Sequence, residues 1–282
     1  MQLGGFLGFE TYRLRLKAVV NLGQCSTSRT HSRTQQVMMS IETLPFLTIG
    51  VFVIALLYSS VGHGGASGYI AVMSLFEIAP TTIKPTALVL NIVVAGIGSW
   101  QFWRAGFCSW KLFWSFAALS IPMSFLGGYL NLPTPVFKIL LGITLIVSAL
   151  RFLIKPTEDT KPREPQLSIA LSVGGGIGLI SGLTGTGGGI FLTPLLFLQR
   201  WATAKTASSV SAMFILVNSI SGLLGNFSAT QEIPKLVMVL IFAVIIGGSV
   251  GSYLGSRKLN HSLIQRLLSI VLVIAGLKLI LV

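Results

Sequence analysis

Acidic residues are nearly missing from this chain: Asp and Glu number seven in 282 residues, against twenty Lys and Arg. At 10% charged, where a soluble domain carries about 25%, it has too little polar surface to face water on all sides. Cysteine is also scarce. Cys25 and Cys108 stand far apart in no CxxC or metal-ligand spacing, which argues against a disulfide framework or a redox pair. His31, His63 and His261 share no ligand spacing, so no metal site is expected. Inside the apolar runs carboxylates are absent, and Glu77 and Glu232 stand only at segment ends. With no buried acid, metal cluster or activated nucleophile, neither an enzyme nor a cofactor is expected. No long basic run interleaved with aromatics occurs. The positive balance therefore reads as membrane-protein loops rather than nucleic-acid binding.

What the sequence has instead is uncharged length. No Asp, Glu, Lys or Arg occurs between Glu42 and Glu77, or over 85–103, 112–137, 165–199, 206–231 and 236–256. Crossing about 30 Å of hydrocarbon takes roughly 20 apolar residues. Two further apolar stretches, 136–154 and 263–282, carry Lys138, Arg151, Arg266 and Lys278 near their ends, where long basic side chains can snorkel to the headgroups. The fold class is an all-α, multi-pass membrane protein, in the inner membrane if the source is bacterial. Residues 1–42 form a polar, basic tail with Arg13, Arg15, Lys17, Arg29 and Arg33. That tail reads as a transit-like segment, a cytoplasmic extension, or an over-called start before Met38 or Met39.

The second half replays the first. "GHGG" at 62–65 matches "GTGG" at 185–188, and "LGGYL" at 126–130 matches "VGSYL" at 250–254. Lys84 falls on Lys205, and Arg151 on Lys278. Two tandem repeats follow, 43–154 and 166–282, joined by a charged, proline-bearing linker at 155–165. Each repeat holds five hydrophobic segments, the second too short to span comfortably. A helix unbroken from 43 to 76 would be about 51 Å long, so the run must break, and the glycines mark the place. If both short segments re-enter without crossing, eight spanning helices remain with both termini inside. The basic residues then divide thirteen or fourteen against six, the richer side being cytoplasmic. If the short segments cross, the repeats are inverted.

Broken helices at membrane depth survive only when buried in protein or lining a wet cavity. Matched, Gly-interrupted segments in two halves point to a transporter's central site. A half-helix starting after Gly62, His63, Gly64 and Gly65, or after Gly185, Thr186, Gly187 and Gly188, would present free N–H groups and a positive dipole end to an anion. The other reading is that these glycines only allow turns or tight packing. They fit neither GxxxxGK[ST] nor GxGxxG, so they are not nucleotide loops.

These same stretches, "SVGHGGASGYIAVMSLF" before "APTTIKPTALVLN" and "GLTGTGGGIFLTPLLFL" before "ATAKTASSVSAMFILVNSISGLLGN", resemble the TauE/SafE-type sulfite exporter family. The likeness runs from about residue 44 to the C-terminus. It implies a duplicated, mostly eight-span membrane protein that moves sulfite or organosulfonate anions, driven by an ion gradient. His63 departs from the small or hydroxyl residue that the family often has there.

Lys84 and Lys205 read either as lures or ligands for an oxyanion, or as anchors that end a hydrophobic segment. His63 is the histidine inside an apolar run, a candidate ligand or proton carrier. Asn91 and Asn218, with nearby serines, either bind substrate or join helices. The partners implied are a small anion, a coupling ion (a proton being the expectation) and the bilayer. An anion channel is the alternative.

Overall fold

The computed structural model describes residues 43–59, 63–104, 106–130, 132–153, 162–230, 234–255 and, with gaps, 273–281. The tail 1–42, Gly62 and most of the linker lie outside the described residues. The chain divides into Met1–Phe46 and Leu47–Val282. Of the first unit only the residues from Thr43 are described, and the packing below is that of the second. Every regular element among the described residues is an α-helix. They are α1 (Thr43–Ser59), α2 (Ala66–Leu75), α3 (Pro80–Arg104), α4 (Trp110–Tyr129), α5 (Thr134–Leu153), α6 (Leu167–Thr184), α7 (Gly189–Leu198), α8 (Ala204–Thr230) and α9 (Leu236–Gly255). Helical residues within 273–281 follow.

Four stretches, Pro80–Arg104, Trp110–Tyr129, Leu167–Thr184 and Thr206–Thr230, are long and apolar enough to cross a membrane. Trp100, Trp103, Trp110 and Trp114 are exposed where α3 ends and α4 begins, a belt suited to a membrane interface. This is a helical membrane protein. The long uncharged run breaks as expected: α1 stops at Ser59 and α2 starts at Ala66.

Contacts fix the chain directions. Gly174, Gly178 and Gly182 of α6 meet Phe116, Ser120 and Ser124 of α4 in the same order, so the two helices run parallel. Ser120 and Ser124 reach Asn218 of α8 while Phe125 meets Gly225, so α8 is parallel to both. The short α7 runs the other way, with Thr193 against Ser211 and Gly187 against Ser219. At its end Arg163 N–H donates to the Arg200 carbonyl at 2.8 Å. Helices α6 and α7 therefore form a hairpin that returns to the tryptophan-bearing end from which it entered. Gly50 against Val72 and Gly68 against Ile54 make α1 and α2 a second hairpin. Lys84, at the start of α3, lies at the end of α4, so this hairpin enters from the opposite end of the bundle. The eight-span expectation placed the start of the third segment across the membrane from the start of the first. The return of Arg200 to Arg163 places the two on one side.

Small residues carry the closest approaches. Residues four apart share a helix face, and Gly174, Gly178 and Gly182 let α6 lie directly on the α4 backbone, as small residues do in lipid. A Cβ on Gly182 would meet the Ser124 carbonyl and come within 2.8 Å of Gly128 N. Gly182→Ala is expected to lower unfolding stability in detergent by about 1–3 kcal/mol. Gly176→Ala, where a Cβ meets nothing within 4 Å, should not lower it.

Candidate functional site

Each hairpin turns at a glycine cluster. At the first tip His63 N–H donates to the Tyr58 carbonyl at 3.0 Å, closing α1. Gly65 then takes φ +94 and α2 begins. Tyr69 OH donates back to the Gly64 carbonyl at 3.2 Å, and Tyr58 OH pairs with Ser67 Oγ at 2.7 Å. At the second tip Gly185 N–H donates to the Ser181 carbonyl at 2.8 Å. Gly187 and Gly188 follow with φ +77 and +78, a region that only glycine enters freely. Thr186 Oγ1 lies 3.0 Å from Thr184 Oγ1. The first N–H groups of α2 and α7 have no intrahelical partner. Each half-helix thus aims a positive dipole end into a buried tip.

The two tips converge on one side chain. A Cβ on Gly64 would run into Asn91 Oδ1, and one on Gly187 would run into Asn91 Nδ2. Both would also come within 3.0 Å of Ile215 Cγ2. Asn91 stands near the middle of α3 and is fully buried. Its Nδ2 donates to Ser219 Oγ at 2.9 Å, and its Oδ1 is buried with no partner among the described residues. Such an orphan is costly unless an external group completes the pairing; Asn226 Oδ1 and five hydroxyls among the described residues are in the same position.

His63 reaches across from the first tip. Its Nε2 lies 3.4 Å from Thr193 Oγ1 of α7, which in turn meets Ser211 Oγ at 2.7 Å.

The remaining candidates separate. Lys84 Nζ donates to the carbonyls of Gly127, Gly128 and Leu130, at 3.1, 2.8 and 3.1 Å. All three of its donors go to the C-terminus of α4, where a cation also meets the negative dipole end. Asn218 accepts from Ser120 Oγ at 2.7 Å and donates to the Phe214 carbonyl at 2.8 Å, holding α8 to α4. Lys205 stands in the first turn of α8, its side chain outside the described residues, as Gly62 is altogether. Sequence reasoning missed Ile215, Tyr69 and Thr193. Thr193 was within reach of it, as the one hydroxyl in the otherwise apolar α7. Ile215 carried no signal, being one apolar residue among many.

A cavity of about 390 Å³ opens at the tryptophan end, lined by Lys111, Arg163, Trp201, Thr203 and Thr206 among others.

A family model described as sulfite exporter TauE/SafE matches residues 47–279. A probable membrane transporter protein of Sinorhizobium fredii is 42% identical over 238 residues, spanning 83% of this chain and 96% of that protein. Probable membrane transporter proteins of Methanocaldococcus jannaschii and Bacillus subtilis are each 26% identical. They cover 83% and 84% of this chain and 94% and 100% of their own lengths. No solved structure matches the chain.

Proposed function

From the premise that this chain belongs to the sulfite exporter TauE/SafE family, we propose that it is a secondary carrier of a small anion, sulfite or an organosulfonate. The observation that carries this reading is the meeting of two half-helix N-termini, from opposite ends of the bundle, at a buried amide with an unpaired oxygen. Backbone N–H groups at Gly64, Gly65 and Gly185 to Gly188 hold the anion's oxygens, and Asn91 reads its remaining polar group. Lys84 and Asn218 position the helices around the anion. Gly62 and Lys205 enter as the counterparts of Gly185 and Lys84.

The repeats, on this reading, are inverted. The offset that carries Lys84 onto Lys205 also carries Asn91 onto Ala212 and Gly98 onto Ser219. Asn91 meets Ser219, and Gly98 meets Ala212. The two contacts exchange, as a two-fold axis between α3 and α8 requires. Inverted repeats sharing a midplane site are built for alternating access: rocking one hairpin away from Asn91 opens one side at a time. A proton is the coupling ion of this proposal.

The test is radiolabelled sulfite flux into proteoliposomes, with sulfate and sulfoacetate as competitors. Saturable flux is expected. Flux that rises linearly with concentration would replace the carrier with an anion channel, and no flux of sulfite or sulfonate would sink the substrate class.

A further inference from the structure

Resting on the carrier reading above, we infer that His63 is the seat of the coupled proton, and that Thr193 and Ser211 form the relay reaching it. His63 is buried, 8% exposed, in the tip whose next residue borders Asn91. Its Nε2 stands 3.4 Å from Thr193 Oγ1, and that oxygen stands 2.7 Å from Ser211 Oγ. Thr193 Oγ1 also donates to the Gly189 carbonyl at 2.9 Å; on turning from it the hydroxyl accepts one proton while donating another, so Thr193 and Ser211 pass a proton without storing it. Imidazole stores it, taking H⁺ on Nε2 to become imidazolium and giving the same proton up on release.

The geometry ties this proton to the anion. A charge on the His63 ring and a negative charge at the glycine tips attract strongly in a water-poor centre, so each favours the other's binding. Among the described residues, the titratable groups on the segments flanking His63 are Tyr58 on α1 and Tyr69 on α2, bonded to Ser67 and to the Gly64 carbonyl. Helices α7 and α8 present the neutral hydroxyls of Thr193 and Ser211, and Lys84 of α3 is held by the α4 carbonyls. The matching residue of the second tip is Thr186, bonded to Thr184, which does not titrate. One tip therefore carries a proton and the other does not, giving one proton per anion. Ser211 lies about 7.5 Å along the axis from Thr206, which lines the cavity at the tryptophan end.

Proton uptake on anion binding tests this, with the full chain in weakly buffered detergent and a pH-sensitive dye. Methanesulfonate is the main probe, because it stays ionised and any proton that moves belongs to the protein. Sulfite is run beside it, its own protonation cancelling between wild type and variant. Wild type should take up about one proton per anion bound. His63→Gln should still bind the anion while its proton uptake falls to near zero. In proteoliposomes the variant should also lose the roughly tenfold gain in accumulation per pH unit that a one-to-one symport gives. Anion binding without proton uptake in wild type, or undiminished uptake in His63→Gln, overturns the proposal. Should His63→Gln fail to fold, Thr193→Val should keep the proton count and slow uptake at least about tenfold; an unchanged rate overturns the relay. If wild type binds neither anion, the carrier reading fails, and this proposal with it.

Discussion

Replacing Gly187 with leucine is expected to abolish saturable sulfite flux, to about a hundredth of wild type or below, in protein that still inserts into membranes. Two independent terms produce the loss. Gly187 sits at φ +77, where a side chain costs about 1–2 kcal/mol. Its Cβ would also collide with Asn91 and come within 2.9 Å of Ser219 Oγ and 3.0 Å of Ile215 Cγ2. Those groups belong to α3 and α8 at their buried midpoints, so they cannot swing aside as an exposed side chain would. The tip must shift instead, carrying the α7 N-terminus away from Asn91. Gly176→Leu is the control, since a Cβ there meets nothing within 4 Å. If Gly187→Leu transports normally, the tips do not hold the substrate.

Lys84→Met should destabilise the protein by about 3–5 kcal/mol, the largest stability loss expected of any single polar substitution here. Methionine matches the length of the lysine stem, so packing is conserved while three charge-assisted bonds vanish. The carbonyls of Gly127 and Gly128, at buried residues, and of the more exposed Leu130 then lose these donors. Leu130 N–H already closes the last turn of α4 onto the Leu126 carbonyl, and Gly185 packs against the Lys84 backbone. Unfolding in detergent measures the loss. Transport by the surviving folded fraction should keep the wild-type KM. A raised KM with unchanged stability would instead make Lys84 a substrate ligand and overturn its capping role.

The two asparagines show how far residue type goes. In sequence Asn91 and Asn218 look alike, each a polar residue on a long apolar helix after a lysine. In the fold Asn218 is satisfied by Ser120 and the Phe214 carbonyl, whereas Asn91 keeps an unpaired oxygen between two glycine tips. The difference lies in which neighbours arrive, and those come from distant parts of the chain. Lys84 makes the same point: its position ending a short segment was legible, but its three acceptors sit more than forty residues away.

By itself the sequence determined the helical membrane class and the breaks near residues 63 and 186. These follow from local physics, because a hydrocarbon solvent demands uncharged runs of a set length and a broken helix at depth demands glycine and company. Only the tertiary structure decided that each short helix doubles back beside the first, that the hairpins enter from opposite ends, and that both tips close on Asn91. A helix apolar all round carries no stripe to say which face packs inward. Direction and partner are settled by glycine-to-backbone fit between segments such as α4 and α6, and that fit exists only once the segments meet.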